Sequence, residues 1–288
     1  MIRSCPTCEV ELPSGDRYCE DCGTRLEAPP VPTPDCPKCG APPEQIDPDG
    51  YCEACGFRRI ADRRDHIEIS ISPGFEGVTD RGLRHHRNED ALAMDTDEDA
   101  HIMVICDGVS STDGADKASE AAAEAAFRSL VQRAPLLAAI SNASRAVIAA
   151  GLAATTIVAA VARDGFIDIA WLGDSRAYWI APAGPAQQLT EDHTESPDSH
   201  VITKWLGVDA PEDQIPSTAR FKIPGPGWLL LCSDGLWNYL PDPAEMIQNG
   251  ARVHELVAYA NNAGGQDNVT AAMLEVEPVP DRLSSQSQ

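Results

Sequence analysis

The sequence predicts an α+β fold preceded by two small metal-dependent modules, and three features carry that reading. Between residues 66 and 278, apolar strand-like runs are interrupted by paired helical patterns, which suits layered sheets and helices rather than strict βαβ alternation. Eight of the 10 cysteines fall before residue 56, in four CxxC pairs. A proline-rich stretch at 28–34, stiff by composition, separates two of these pairs from the other two.

Composition narrows the function. The chain has 288 residues, enough for one large domain or two ordinary ones. A hydrophobic fraction of 43% and a mean hydropathy of −0.25 fit a soluble globular chain. With 22 basic and 45 acidic side chains the net charge is −23, which argues against nucleic acid or an anionic membrane as the main partner. The N-terminus MIRSCPTCEVELPSGDRYC has no apolar leader core. The longest uncharged stretch, 146–162, is slightly short for a span of about 20 residues and reads as a helix end running into a buried strand. Repeated CxxC pairs are rare in secreted disulfide scaffolds, so the expected compartment is the reducing cytoplasm.

Taken in order, residues 1–27 form the first expected module, 28–34 the linker and 35–59 the second. CPTC and CEDC supply Cys5, Cys8, Cys19 and Cys22. CPKC and CEAC supply Cys36, Cys39, Cys52 and Cys55. Each set is a complete tetrathiolate with no position left for water, which implies two structural Zn²⁺ ions. Modules this small bury too little core to fold alone, so the metal would supply folding free energy. A rubredoxin-like iron site and disulfide pairs are the competing readings. Glycine follows a cysteine at Gly23, Gly40 and Gly56, where a knuckle turn often needs positive φ. With six basic against eleven acidic residues up to Arg59, and no basic stripe, the modules suit protein contact better than nucleic acid.

Beyond residue 65, β-branched alternation begins at Ile67, Ile69 and Ile71. Strands are expected at 101–106, 155–162, 167–172, 176–180, 219–223, 228–232 and 269–276. Helices are expected at 117–133, 136–150 and 253–262, with shorter ones at 200–206 and 244–248. The large domain spans 66–278, and residues 279–288 read as a disordered tail.

Four acidic motifs carry the chemistry: TDRGLRHHRNEDA at 79–91, VICDG at 104–108, LLCSDGLW at 230–237 and GGQDNVT at 264–270. An aspartate at the end of an apolar strand is costly unless its charge is compensated. Several such ends converging call for a cation, and all-oxygen donors favour Mg²⁺ or Mn²⁺. Singly, each motif is more often a turn or a cap.

In their order, TDRG…NEDA, ICDG, GDSRAYWI, LTEDHT, CSDGLW and GGQDNVT resemble the metal-dependent protein phosphatases, the type 2C Ser/Thr family in its bacterial form, over about residues 70–276. The resemblance implies an αββα four-layer sandwich with two antiparallel sheets and a binuclear Mn²⁺ or Mg²⁺ centre at one edge. It implies that Asp107 bridges both ions, that Asp234 and Asp267 complete one shell, and that Glu89 and the carbonyl of Gly108 hold the other. Asp90 would orient the attacking water, and Asp174 would hold a third, weaker ion. The implied activity is hydrolysis of phosphoserine and phosphothreonine in proteins by metal-activated water, in cytoplasmic signalling. The implied partners are phosphorylated proteins, a Ser/Thr kinase and its substrates among them.

Three departures from the family pattern stand out. The phosphate-binding arginine expected four residues before Glu89 is His85, so phosphate contact passes to Arg84 or Arg87, or to His85 itself. Val109 stands where eukaryotic members have a histidine proposed as general acid, which leaves metal-bound water to protonate the leaving group. LTEDHT leads to HVITKWLG after five residues, a shortened approach that should open the substrate groove. Cys106 and Cys232 read as buried small hydrophobes, His193 as a structural hydrogen bonder, and Trp171, Trp179, Trp228 and Trp237 as core. The competing function is a pseudophosphatase, a phosphoprotein-binding scaffold on the same fold with the zinc ribbons as interaction modules. A nucleic-acid regulator led by the ribbons is disfavoured by their acidity.

Overall fold

A computed structural model of the chain describes residues 3–4, 8, 10–12, 36, 39–46, 52–55, 64–109, 114–152, 154–196, 199–211 and 213–276. It divides into two compact units, Met1–Ala61 and Asp62–Gln288. The expected proline linker, the expected tail, and Cys5, Cys19 and Cys22 lie outside the described residues. Among the described residues no helix is long and apolar enough to cross a membrane.

In the first unit, β1 (Arg3–Ser4) pairs antiparallel with β2 (Glu11–Leu12). The second cysteine set is seen in full. Cys36 and Cys52 are buried, a short 3₁₀ turn spans Pro43–Gln45, and Ile46 bridges to Cys52. Gly40 has φ 72°, the left-handed knuckle conformation that a side chain would disfavour.

The second unit runs β3 (His66–Ser72), β4 (Phe75–Asp80), β5 (Asp90–Asp97), β6 (Ala100–Asp107), α1 (Ala115–Val131), α2 (Leu136–Ala149), β7 (Ile157–Arg163), β8 (Phe166–Leu172), β9 (Arg176–Ile180), β10 (Gln187–Gln188), β11 (Ser217–Lys222), β12 (Gly227–Cys232), α3 (Asp234–Trp237), α4 (Ala244–Gln248), α5 (Val253–Ala263) and β13 (Val269–Val276). One sheet has the order β10-β9-β12-β13-β4-β3 and the other β11-β8-β7-β6-β5, with every pairing antiparallel.

Three apolar layers make this an αββα sandwich. Met103, Ile105, Val158, Ile169, Trp171, Trp179, Leu229 and Leu231 meet between the sheets. On one outer face α1 packs against β5, β6 and β7, and α2 packs against α1 and β8. The α1 face is alanine at 115, 118, 122 and 126, all fully buried, so that this helix lies close to the strands. On the other face Ile247, Val253, Leu256, Val257 and Ala260 of α4 and α5 cover Leu230, Ala271 and Met273. Central strands are therefore covered on both faces, which is why β6 and β7 read as unbroken apolar runs.

Most expected elements stand where the periodicity puts them. Residues 200–206, expected as a short helix, are irregular. Val201, Ile202 and Thr203 are β-branched, and the backbone there is spent on cross-loop bonds, Glu195 N to Val201 O, Thr203 N to His193 O and Leu206 N to Thr155 O. Strands β4 and β5 are additions to the sequence reading. In β5 the acids Asp95 and Asp97 hide the alternation, yet it pairs with β6 along its full length. The Ile67–Ile69–Ile71 alternation is a real strand, but an edge one. Only Ile69 packs inward, while Ile67 and Ile71 are exposed.

Candidate active site

The two sheets meet at one edge, where the acidic motifs converge. Asp90 opens β5 and Asp107 closes β6, and the antiparallel register sets them directly opposite each other. Asp234 follows β12 at the start of α3, and Asp267 lies two residues ahead of β13. Burial pushes Asp107 well above the usual carboxylate range, and the charges of Asp90, Asp234, Asp267 and Asp174 push it further. Asp234 is raised well above that range for the same reasons, burial first and then Asp267, Asp174 and Asp90. Burial raises Asp90 to about 7, and burial with the charge of Asp192 raises Asp174 to about 6.

Hydroxyl groups from the other sheet hold Asp90 in place. Ser233 Oγ donates to Asp90 Oδ2 at 2.8 Å and Thr270 Oγ1 donates to the same oxygen at 2.6 Å. A relay stands behind them: Asn88 Nδ2 donates to Thr79 Oγ1, which pairs with Thr270 Oγ1. Ser233 occupies the position of a helix-capping hydroxyl, but its oxygen accepts from Thr270 N at 3.0 Å instead of from the α3 backbone, and its proton goes to Asp90. The carbonyl of Asp107 accepts from Thr155 Oγ1 at 2.9 Å and Thr156 N at 2.7 Å.

Asn268 fixes the loop that carries Glu89. Its Nδ2 donates to the carbonyls of Arg81 and Arg87, and its Oδ1 accepts from Glu89 N at 2.8 Å. Two glycines permit the close approach. A Cβ on Gly108 would lie 2.6 Å from Glu89 O, and one on Gly235 would lie 1.9 Å from Asn268 O. The glycine of each Asp-Gly pair thus lets one backbone pass another, and the carboxylates are drawn together as a result.

The basic residues of the 79–91 motif are distributed unequally. Arg84 is exposed. His85 Nε2 lies 3.2 Å from Asp267 Oδ1, and its Nδ1 lies 4.0 Å from Glu89 Oε2, so its ring sits between two of the expected metal ligands. Asp174 lies beside a group that the motif reading treated as core. Trp237 Nε1 donates to Asp174 O at 3.1 Å, Arg176 stacks on the same indole at 3.6 Å, and His200 stacks on it at 6.0 Å. Arg176 is held in turn by both oxygens of Asp192. An aromatic residue directly after Asp-Gly-Leu was the available signal. Trp171 and Trp179 are core as expected, and Cys106 and Cys232 are buried, their thiols pushed up by burial.

His193 is structural. Gly173 N donates to Nδ1 at 3.1 Å and Nε2 pairs with Ser217 Oγ at 2.8 Å, which fixes one neutral tautomer. Burial holds its pKa down at about 4.

Among the described residues, Cys36, Cys39, Cys52 and Cys55 are the one group whose ligand atoms all lie within 4.8 Å of one another. Two Sγ–Sγ separations are 3.7 and 3.6 Å. A zinc tetrahedron with bonds of about 2.3 Å has edges of about 3.8 Å, so the thiols fit zinc and are too far apart for disulfides. At the sheet edge Asp107 lies within side-chain hydrogen-bond reach of both Asp90 and Asp234, so the donors gathered there are all oxygen. Among the described residues, hollows of about 710, 460 and 420 Å³ lie away from the carboxylates, and one of about 350 Å³ is lined by Val109, two residues after Asp107.

Comparison with known proteins agrees with this geometry. The model of the protein phosphatase 2C family matches residues 82–273, and that of the double zinc ribbon matches residues 5–56. The serine/threonine phosphatase stp of Listeria monocytogenes is 26% identical over 238 residues, covering 68% of this chain and 93% of the relative. The solved structure of the serine/threonine phosphatase Stp1 from Staphylococcus aureus shares the fold with a TM-score of 0.62 at 22% identity, over 76% of this chain and 100% of that one. The catalytic domain of the phosphatase PstP, solved in complex with two manganese ions, gives a TM-score of 0.59 at 26% identity, over 70% and 98% of the two chains.

Two outcomes follow from the packing. Gly235→Ala should cost about 3 kcal/mol or more in urea unfolding and weaken Mn²⁺ binding in titration calorimetry. Gly225→Ala, where a Cβ meets nothing within 4 Å, should change neither. The folded His193 ring resists protonation down to about pH 4, whereas the unfolded chain protonates near 6.5. Its contribution is therefore intact above pH 6.5 and is lost as pH falls to about 4. His193→Asn should remove that part of the acid sensitivity, about 1–2 kcal/mol once exposure of the ring is discounted, in thermal unfolding between pH 7 and 4.

Proposed function

The chain belongs to the protein phosphatase 2C family, and from that premise we propose that it is a metal-dependent phosphatase acting on phosphoserine and phosphothreonine in proteins. The observation that carries the reading is the gathering of Asp90, Asp107 and Asp234 at converging strand ends, where burial and mutual repulsion raise all three. Such a set is stable in its ionised form when cations compensate it. The all-oxygen donors fit two Mn²⁺ or Mg²⁺ ions, which Asp107, Asp234, Asp267, Glu89 and the Gly108 carbonyl would hold. Asp174 would hold a weaker third. When bound, the ions would supply a hydroxide nucleophile at neutral pH and neutralise charge developing on the phosphoryl group.

The chain's own residues would supply orientation. Asp90 Oδ2 is occupied by two hydroxyl donors. Its Oδ1 is thus the oxygen that would align the attacking water and accept its proton. Arg84, exposed on the loop pinned by Asn268, would draw in the phosphate, and the His85 ring would donate to it from between Glu89 and Asp267. Val109 supplies no proton to the leaving group.

The same chain would hold two structural Zn²⁺ ions in ribbons at 1–27 and 35–59, ahead of a catalytic domain at 66–278. Their acidity favours a protein partner, and repeated reduced, zinc-binding CxxC pairs favour the cytoplasm. Phosphorylated proteins, a cognate Ser/Thr kinase and its targets among them, are the proposed substrates. One observation favours a second reading, a phosphoprotein-binding pseudophosphatase: an imidazole already stands between two of the metal carboxylates.

Activity decides between the two readings. The full chain with Mn²⁺ or Mg²⁺ should hydrolyse para-nitrophenyl phosphate and a phosphothreonine peptide, and Asp107→Ala should lower kcat by about three orders of magnitude, near 4 kcal/mol. Binding of the phosphopeptide without turnover in any divalent metal would establish the pseudophosphatase instead. Elemental analysis in reducing buffer should find two zinc ions per chain, and Cys36→Ser with Cys52→Ser should remove one of them.

A further inference from the structure

We propose that the hollow of about 350 Å³ beside Val109 is a substrate subsite that receives an apolar side chain flanking the phosphorylated residue. The inference rests on the phosphatase reading and deepens it. Val109 lies two residues after Asp107, so the hollow begins close to the carboxylate edge. Val109 N donates to Ala154 O at 2.9 Å. Next in the chain, Thr155 spans both sides. Its hydroxyl donates to Asp107 O, while its backbone exchanges bonds of 2.9 and 2.8 Å with Leu206. The floor of the hollow is thereby tied to Asp107 and its far wall to residues 200–206.

The lining is apolar where a phosphate site is polar. Val109, Ala154, Val201, Ile202 and Trp205 form it, with His200 and Asp209 completing the ring. Val201 is 56% exposed beside an anion-binding edge, an apolar surface whose hydration a bound side chain would relieve. Trp205 brings a second cue. Its Nε1 is buried with no hydrogen-bond partner, and an unpaired buried donor is costly. A peptide carbonyl entering alongside the apolar side chain would satisfy it after a small turn of the ring. Successive residues of an extended peptide are about 3.8 Å apart, so a phosphoryl group at the carboxylate edge brings its sequence neighbours within reach of the hollow. The wall is preformed, since Glu195 N to Val201 O and Thr203 N to His193 O hold it. Asp209 would turn away an acidic neighbour.

The test compares phosphothreonine peptides that differ at one flanking position, carrying Leu, Ala or Asp, on the full chain with Mn²⁺. At one position the Leu peptide should exceed the Asp peptide by about tenfold or more in kcat/KM. In Ile202→Lys, which removes apolar surface and attracts an acid, that ratio should fall to within about twofold, and in Ile202→Ala to an intermediate value. A ratio is read in every case, so a general loss of activity cancels. Equal rates for Leu and Asp at every flanking position, or a ratio unchanged in Ile202→Lys, would overturn the subsite. Para-nitrophenyl phosphate has no flanking residue, so its failure to react would count against the phosphatase reading alone. The same peptide ratio is then measured as Kd by fluorescence anisotropy: tenfold tighter Leu binding supports the subsite and equal binding overturns it.

Discussion

Like charges held together in a dry place govern this molecule. Asp90 and Asp107 face each other across one ladder, and Asp234 and Asp267 arrive from the other sheet. Burial raises the proton affinity of Asp90, Asp107 and Asp234, and the charges of neighbouring carboxylates raise it further. Nothing in hydrophobic packing favours such an arrangement, and a sandwich could be built without it. The surrounding structure overcomes this repulsion with directed hydrogen bonds, Ser233 and Thr270 onto Asp90, and Thr155 and Thr156 onto the Asp107 carbonyl. A cluster that costs stability without cations is one that binds cations strongly. The fold's least favourable feature is thus the basis of the proposed chemistry.

Backbone proximity serves the same end. Gly108 and Gly235 follow their aspartates because another chain segment passes where a Cβ would be. Asn268 ties three points of the Glu89 loop with one side chain. The residues beside the acids in each motif are therefore the means by which separate strands are brought to a common edge. The Arg176–Trp237–His200 stack extends this logic to Asp174, linking β9, α3 and the loop after residue 199 around one indole.

Much of the fold was legible in the sequence, for a physical reason. Central strands buried on both faces must be apolar throughout, so β6, β7, β8 and β12 stand out, and alanine spacing marks α1. β5 was not legible, because an edge strand with solvent on part of one face tolerates Asp95 and Asp97. The irregular 200–206 segment carried a helical pattern in its apolar residues, but its backbone bonds go to distant loops, and no local pattern records such partners. In the site, the aspartates were legible from Asp-Gly pairs after apolar runs. The roles of Ser233, Thr270, Asn268 and Trp237 were not, since a hydroxyl, an amide or an indole next to a motif looks like any turn or core residue until its partner is known.

The sequence by itself determined composition-level and local facts: an acidic chain, two tetrathiolate sets, strands that end on aspartate, and the order of motifs that marks the family. These follow from residue type and spacing along the chain. Only the tertiary structure decided which carboxylates oppose one another, where the His85 ring sits, and that an apolar hollow borders the acidic edge at Val109. Those depend on strand register and on contacts between residues more than a hundred positions apart, such as Asp90 with Ser233 and Thr270. Long-range pairing is set by the packing of the whole core, and no stretch of sequence encodes it alone.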